Sequence, residues 1–128
     1  LEELGDKLIV FNGADTLSYS GLTLGAKGCV WGAANATPRQ CVELYEMCVE
    51  QQDLLKAREL WDKLYPLNRF YETAGYAASV KAATGMVGLD VGEPRAPFGP
   101  LSEGKKAELR KLLEPLDVLE ATAPVPAG

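Results

Sequence analysis

Apolar residues along this chain follow two rhythms: short unbroken runs near the start, then a recurrence every three or four positions beyond residue 50. Leu8-Ile9-Val10-Phe11 is a continuous apolar run, the pattern of a parallel strand covered on both faces. Before it, Leu1-Glu2-Glu3-Leu4-Gly5 reads as the tail of a helix stopped by glycine. After it comes Asn12-Gly13-Ala14-Asp15, where Gly13 lets a ligand approach the backbone and Asp15 is placed to cap a short helix from Thr16 to Leu24. Gly25 closes that helix, and a second strand is expected from about Lys27 to Trp31. Thr37-Pro38-Arg39-Gln40 has the form of a capping box with Pro at the first helical position. The helix behind it places Cys41, Val42, Tyr45, Cys48 and Val49 at the offsets of one buried face. Two strand-then-helix units in succession, with no alternating strands, predict a parallel α/β architecture.

From Asp53 the pattern is wholly helical. Ala57, Leu60, Trp61 and Leu64 form an apolar face before Pro66, and a further helical stretch runs through Leu67, Phe70 and Tyr71 to a break at Gly75. A small-residue helix is expected from Ala77 to Met86, ended by Gly85 and Gly88. Glu93 to Pro100 must be a loop, since its prolines forbid a ladder or a helix. Ser102 caps a last helix with Leu109, Leu112, Leu113 and Leu116 inward, and the Pro/Ala-rich end from Ala121 to Gly128 is expected to fray.

Composition narrows the function classes. The net charge is −5 with no Lys/Arg cluster to track a phosphate backbone, so nucleic acid is not an expected partner. No apolar run approaches the ~20 residues of a membrane span, and no basic-then-apolar leader is present. Cys29, Cys41 and Cys48 show no CxxC spacing and the chain has no His, so no metal site is expected. Cys41 and Cys48 lie two helical turns apart, too far to bridge, and read as small core residues in a reducing cytoplasm.

At this point the order of the motifs matters. Gly13-Ala14-Asp15 at one strand end, then Gly25-Ala26-Lys27-Gly28-Cys29-Val30 and Asn35 at the next, resembles the last two β/α units of the dihydrodipicolinate synthase and N-acetylneuraminate lyase family. Ala57-Arg58-Glu59-Leu60, Leu64-Tyr65-Pro66-Leu67, Ser79-Val80-Lys81-Ala82-Ala83 and Pro94-Arg95-Ala96-Pro97 agree with it, and the resemblance extends to about Leu116. It implies the C-terminal part of a (β/α)8 TIM barrel: strands seven and eight within residues 1–50, a three-helix extension over 51–119, and a flexible tail over 120–128. It also implies a lyase that forms a Schiff base with pyruvate or a related 2-oxo acid, without a cofactor, in a homotetramer or dimer. The family's nucleophilic lysine belongs to strand six and would lie outside this chain, so no catalytic residue is expected here.

By the same resemblance, the substrate-binding residues are Gly13, Asp15, Thr16, Val30, Trp31 and Gly32, at the strand ends where barrel enzymes place their chemistry. The backbone carbonyls of Gly13 and Val30 would face the substrate, and the others its distal end. Two simpler readings stay open: Asp15 as a helix cap and Trp31 as core filler. Trp31-Gly32 stand where the synthases usually carry a Ser-Val-containing turn, and Thr16 where the sialic-acid lyases carry an acidic residue, so neither named activity transfers directly. Lys27 sits at the start of its strand and Lys81 on a helix of the extension, and neither has the surroundings of a nucleophile. A non-catalytic scaffold or assembly relative is the alternative function; a phosphate-binding module is not supported, since no Gly-rich loop precedes Lys-Ser/Thr. Two barrel strands alone would leave a sheet edge and an inner face open, so the remainder of the barrel is the expected partner.

Overall fold

The computed structural model describes residues 7–119; the expected helix tail at Leu1–Gly5 and the tail at 120–128 lie outside the described residues. Two short strands, β1 (Phe11–Asn12) and β2 (Gly28–Cys29), pair in parallel, with Phe11 opposite Gly28 and Asn12 opposite Cys29. The ladder extends one bond either way, from the Lys27 amide to the Val10 carbonyl (2.8 Å) and from the Val30 amide to the Asn12 carbonyl (2.8 Å). A 3-10 turn at Asp15–Leu17 and α1 (Ser18–Thr23) connect the strands. This is the right order for a parallel pair, which needs a crossover between its strands. After β2, a second 3-10 turn (Gly32–Asn35) leads into α2 (Pro38–Tyr45), which continues as a π-helical turn over Glu46–Glu50.

The remaining helices are α3 (Leu54–Ala74), α4 (Tyr76–Met86) and α5 (Glu103–Leu113). Asp53 caps α3 by accepting from the Lys56 amide (3.2 Å), and Ser102 caps α5 by accepting from the Lys105 amide (3.4 Å). The expected interruption at Pro66 does not occur: α3 runs unbroken through it, at the cost of one intrahelical bond. The expected break at Gly75 is present, at a φ of +104° that a side chain would strain. Residues 91–100 carry no regular structure.

The core lies between α2, α3 and α5, with Leu44, Leu64, Leu67, Tyr71, Leu109 and Leu113 fully buried. Removing each leucine from water contributes ~1.5–3 kcal/mol. The buried face of α2 is turned from the expected one: Leu44 is 0 % exposed and Val42 is 56 % exposed, while Cys41 and Cys48 are inside. Nor does the capping box form. The Thr37 hydroxyl donates backwards to the Ala33 carbonyl (2.9 Å), and the Gln40 carboxamide reaches the Leu116 carbonyl (2.7 Å), tying α2 to the turn after α5.

The two faces of the strand pair differ. Asn12 and Cys29 point toward α1, where the Asn12 carboxamide donates to the Ala14 carbonyl (2.7 Å) and approaches Ser18 Oγ (3.3 Å) and Cys29 Sγ (3.8 Å). Phe11 and Gly28 stand on the other face, and the Phe11 ring lies across Gly28 so closely that a Cβ there would come within 2.5 Å of it. No described element covers that face: Ile9 is 77 % exposed, Phe11 58 % and Val30 71 %. Strand alternation puts all three on it.

Candidate functional site at the strand ends

The chain leaves β1 through Gly13-Ala14-Asp15 and β2 through Val30-Trp31-Gly32, so the C-terminal ends of two parallel strands meet side by side. Gly13 is bare: a Cβ built on it meets nothing within 4 Å among the described residues, which leaves the backbone open to close approach. Val30, its neighbour across the ladder, presents its side chain on the open face.

Asp15 does not cap the helix that follows it; the residue at that cap position is Ala14, which has no side-chain bond to offer. Asp15 is instead 2 % exposed and its carboxylate reaches across to the other unit. It accepts from the Ala33 amide (2.9 Å), the Gly32 amide (3.3 Å) and the Tyr76 hydroxyl (3.0 Å). The first two are free amides at the start of the Gly32–Asn35 turn, the place where a carboxylate is most favourable. Asp15 therefore caps the next unit and joins both strand ends to α4.

The neighbouring contacts come from α3. Asn68 donates to the Asp15 carbonyl (3.2 Å), and the Glu72 carboxylate accepts from Thr16 at both its hydroxyl (2.8 Å) and its amide (3.3 Å). Burial first, and then the hydrogen bond to Asp15, push the Tyr76 phenol up to about 12, which keeps it a neutral donor. Asn68, Glu72 and Tyr76 were not among the expected site residues. Asn68 and Glu72 carried a signal, being four apart on α3 with Asn68 interrupting an otherwise apolar helix face; Tyr76 follows the break at Gly75 and no local pattern marks it.

Of the six expected residues, Gly13, Asp15, Thr16, Val30 and Gly32 gather at the strand ends, whereas the indole of Trp31 turns away from them. Alternation sends Trp31 to the side of Cys29 rather than Val30. There it lines a cavity of about 380 Å³ with Leu22, Cys29, Ala34, Cys41 and Tyr45, in the outer layer between β2 and the helices. Gly32 carries no side chain where one would have no room, since its Cβ would overlap the Tyr76 hydroxyl and lie 2.6 Å from Tyr76 Cζ. Lys27 is exposed at the start of β2, and the Lys81 ammonium donates to the Val91 carbonyl (3.1 Å) in the segment after α4. Burial pushes the thiol of Cys41 up to about 12 and that of Cys48 to about 11, as inert core residues require. Among the described residues no group of three His, Cys, Asp or Glu side chains could hold a metal, and no helix is long and apolar enough to cross a membrane.

This architecture, parallel strand-helix units whose strand ends are braced by a helical extension, is that of a lyase family. The chain belongs to the dihydrodipicolinate synthetase family, whose family model matches residues 1–116. Among its relatives, the 4-hydroxy-tetrahydrodipicolinate synthase of Methanopyrus kandleri is 36% identical over 119 residues, covering 93% of this chain and 39% of the relative. The crystal structure of dihydrodipicolinate synthase from Thermotoga maritima superposes with a TM-score of 0.83 at 30% identity, over 92% of this chain and 40% of that one. A 2-keto-3-deoxygluconate aldolase variant of Sulfolobus solfataricus, at 23% identity and a TM-score of 0.76, shares the fold. The chain thus spans about two fifths of the length of the relatives it matches. The solved relatives are TIM-barrel proteins.

Proposed function

We propose that this chain supplies strands seven and eight of a (β/α)8 barrel, as β1 and β2, together with the helical extension over residues 51–119. In that reading the barrel is a Schiff-base lyase acting on pyruvate or a related 2-oxo acid. A lysine outside this chain forms an imine with the oxo acid. The protonated imine is an electron sink: in condensation the adjacent carbon loses a proton and the resulting enamine adds to an aldehyde, and in cleavage the bond to that carbon breaks, releasing an aldehyde and leaving the enamine to take up a proton. The observation that carries the reading is the open apolar face of the strand pair, ending in bare Gly13 and exposed Val30, in a chain of this family. Such a face suits one wall of a barrel interior completed by the remaining strands. The carbonyls of Gly13 and Val30 then border the reacting centre, and Thr16 and Gly32 border the distal end of the substrate. Asp15 holds the wall in shape, the protein works as a homo-oligomer, and its free thiols suit a reducing cytoplasm.

The test is trapping. The full-length polypeptide that carries this chain is incubated with pyruvate, reduced with borohydride and mapped by peptide mass spectrometry. The expected adduct sits on a lysine outside residues 1–128. An adduct on Lys27 or Lys81 would overturn the assignment of the nucleophile, and no adduct at all would favour a non-catalytic assembly relative.

A further inference from the structure

The strand ends are braced from outside by the helical extension, and of its ties only the Tyr76 hydroxyl reaches the Asp15 carboxylate that holds the Gly32 and Ala33 amides. We propose that Tyr76 is a positioning residue for the chemistry at the strand ends, acting through Asp15 to fix the Val30-Trp31-Gly32 turn. The inference rests on the reading of that turn as part of a Schiff-base site.

Four observations carry it. The Asp15 carboxylate is buried, and its Oδ1 takes both the Gly32 amide (3.3 Å) and the Tyr76 hydroxyl (3.0 Å), while Oδ2 takes the Ala33 amide (2.9 Å). Gly32 lacks the Cβ that would overlap the phenol, so the ring can reach that oxygen. Gly75 turns the chain at φ +104°, making Tyr76 the first residue of α4 and aiming it back at the strand ends. The ring also packs edge-on to Tyr71, with centroids 6.4 Å apart and planes at 75°, and Tyr71 is fully buried. Although Tyr76 is 43 % exposed, its hydroxyl end meets the carboxylate and orients it, and the carboxylate orients the two successive amides of Gly32 and Ala33 just after Trp31. Removing the hydroxyl leaves Oδ1 with one donor and lets the turn rotate, which displaces the end of β2 without removing any group that touches the substrate.

The experiment uses the full-length polypeptide with pyruvate in D2O, where exchange of the methyl protons through the imine and enamine gives kcat and KM without a second substrate, in four forms: wild type, Tyr76→Phe, Asp15→Ala and the double variant. Tyr76→Phe keeps the ring and its packing. Its kcat is expected to fall about tenfold with KM for pyruvate within about twofold. In the Asp15→Ala background the same change should alter kcat by less than about twofold, because the path through Asp15 is already broken. Hydrogen exchange of the peptide holding Gly32 and Ala33 should accelerate in Tyr76→Phe, while exchange in α5 stays unchanged and reports an intact fold. A rise in KM alone would make Tyr76 a substrate contact and overturn the inference, and so would equal losses in both backgrounds. Borohydride trapping of the wild type separates the two levels. No adduct overturns the reading of the site and the inference with it, whereas an adduct together with unchanged kcat in Tyr76→Phe overturns the inference alone.

Discussion

Gly32→Ala adds one methyl group at the most crowded point of the strand ends, and its cost can be worked from the geometry. The backbone at Gly32 is not left-handed, so alanine meets no conformational strain of its own. In the unfolded chain the substitution removes freedom, which by itself stabilises by ~0.4–1 kcal/mol. Against this, the new Cβ would overlap the Tyr76 hydroxyl and stand 2.6 Å from Cζ and 3.1 Å from Cε1. The phenol oxygen must retreat by roughly 1.5 Å to reach ordinary contact. That retreat breaks its 3.0 Å bond to Asp15. A hydrogen bond to a charged group contributes ~1.5–3 kcal/mol, and the partial exposure of Tyr76 puts this one at the low end. The net expectation is a loss of about 1 kcal/mol. In a Tyr76→Ala background the steric conflict is gone, so the same Gly32→Ala change should be neutral or stabilising by up to ~1 kcal/mol. Urea unfolding of the four variants, compared through midpoints at constant slope, measures both numbers. Equal losses in the two backgrounds would refute the reasoning, because the cost would then lie in the turn and not in Tyr76.

Other expectations follow from burial. Leu44→Ala should destabilise by ~2–5 kcal/mol and Val42→Ala by less than ~0.5 kcal/mol, although both sit on α2. Urea midpoints of the two variants check it, and the reverse order would mean that α2 packs by the other face. Stability should also fall in alkali. The thiols of Cys41 and Cys48 are raised by burial from 9.0 to about 12 and about 11, and the Tyr76 phenol from 10.0 to about 12. A raised acid contributes stability that is intact below its unfolded value and is lost as pH climbs through the folded one. The thermal midpoint should therefore hold up to about pH 9 and drop between pH 9 and 12. In Cys41→Ser the first part of that drop should be shallower.

Much of this fold is legible along the chain because local rules decide it. The apolar run Leu8–Phe11 marks the approach to the first strand, whose paired residues are Phe11–Asn12, and the second strand, Gly28–Cys29, lies inside the expected Lys27–Trp31; Gly25 and Gly75 mark stops, and Asp53 and Ser102 sit where a cap is needed. What local rules miss are the choices made by distant partners. Thr37 and Gln40 have the spacing of a capping box, yet the preceding turn presents the Ala33 carbonyl to one and the last turn presents the Leu116 carbonyl to the other. Asp15 is correctly placed for a cap, but the free amides it meets belong to the next unit, 17 and 18 residues on. The side of Trp31 was decidable from alternation alone, since it shares parity with Cys29 and not with Val30. The face of α2 was not, because Val42 and Leu44 differ by two positions and only the placement of α3 selects between them.

The way α3 and α4 hold the strand ends bears on how relatives of this protein can be recombined. Three ties join the strand ends to α3 and α4: Asp15 to Tyr76, the Asp15 carbonyl to Asn68, and Thr16 to Glu72. A chimera cut near residue 50 would take each donor from one parent and its acceptor from the other. Transplanting the loops that shape a mouth therefore means transplanting Asn68, Glu72 and Tyr76 as a matched set, and a graft that omits them inherits the recipient's geometry.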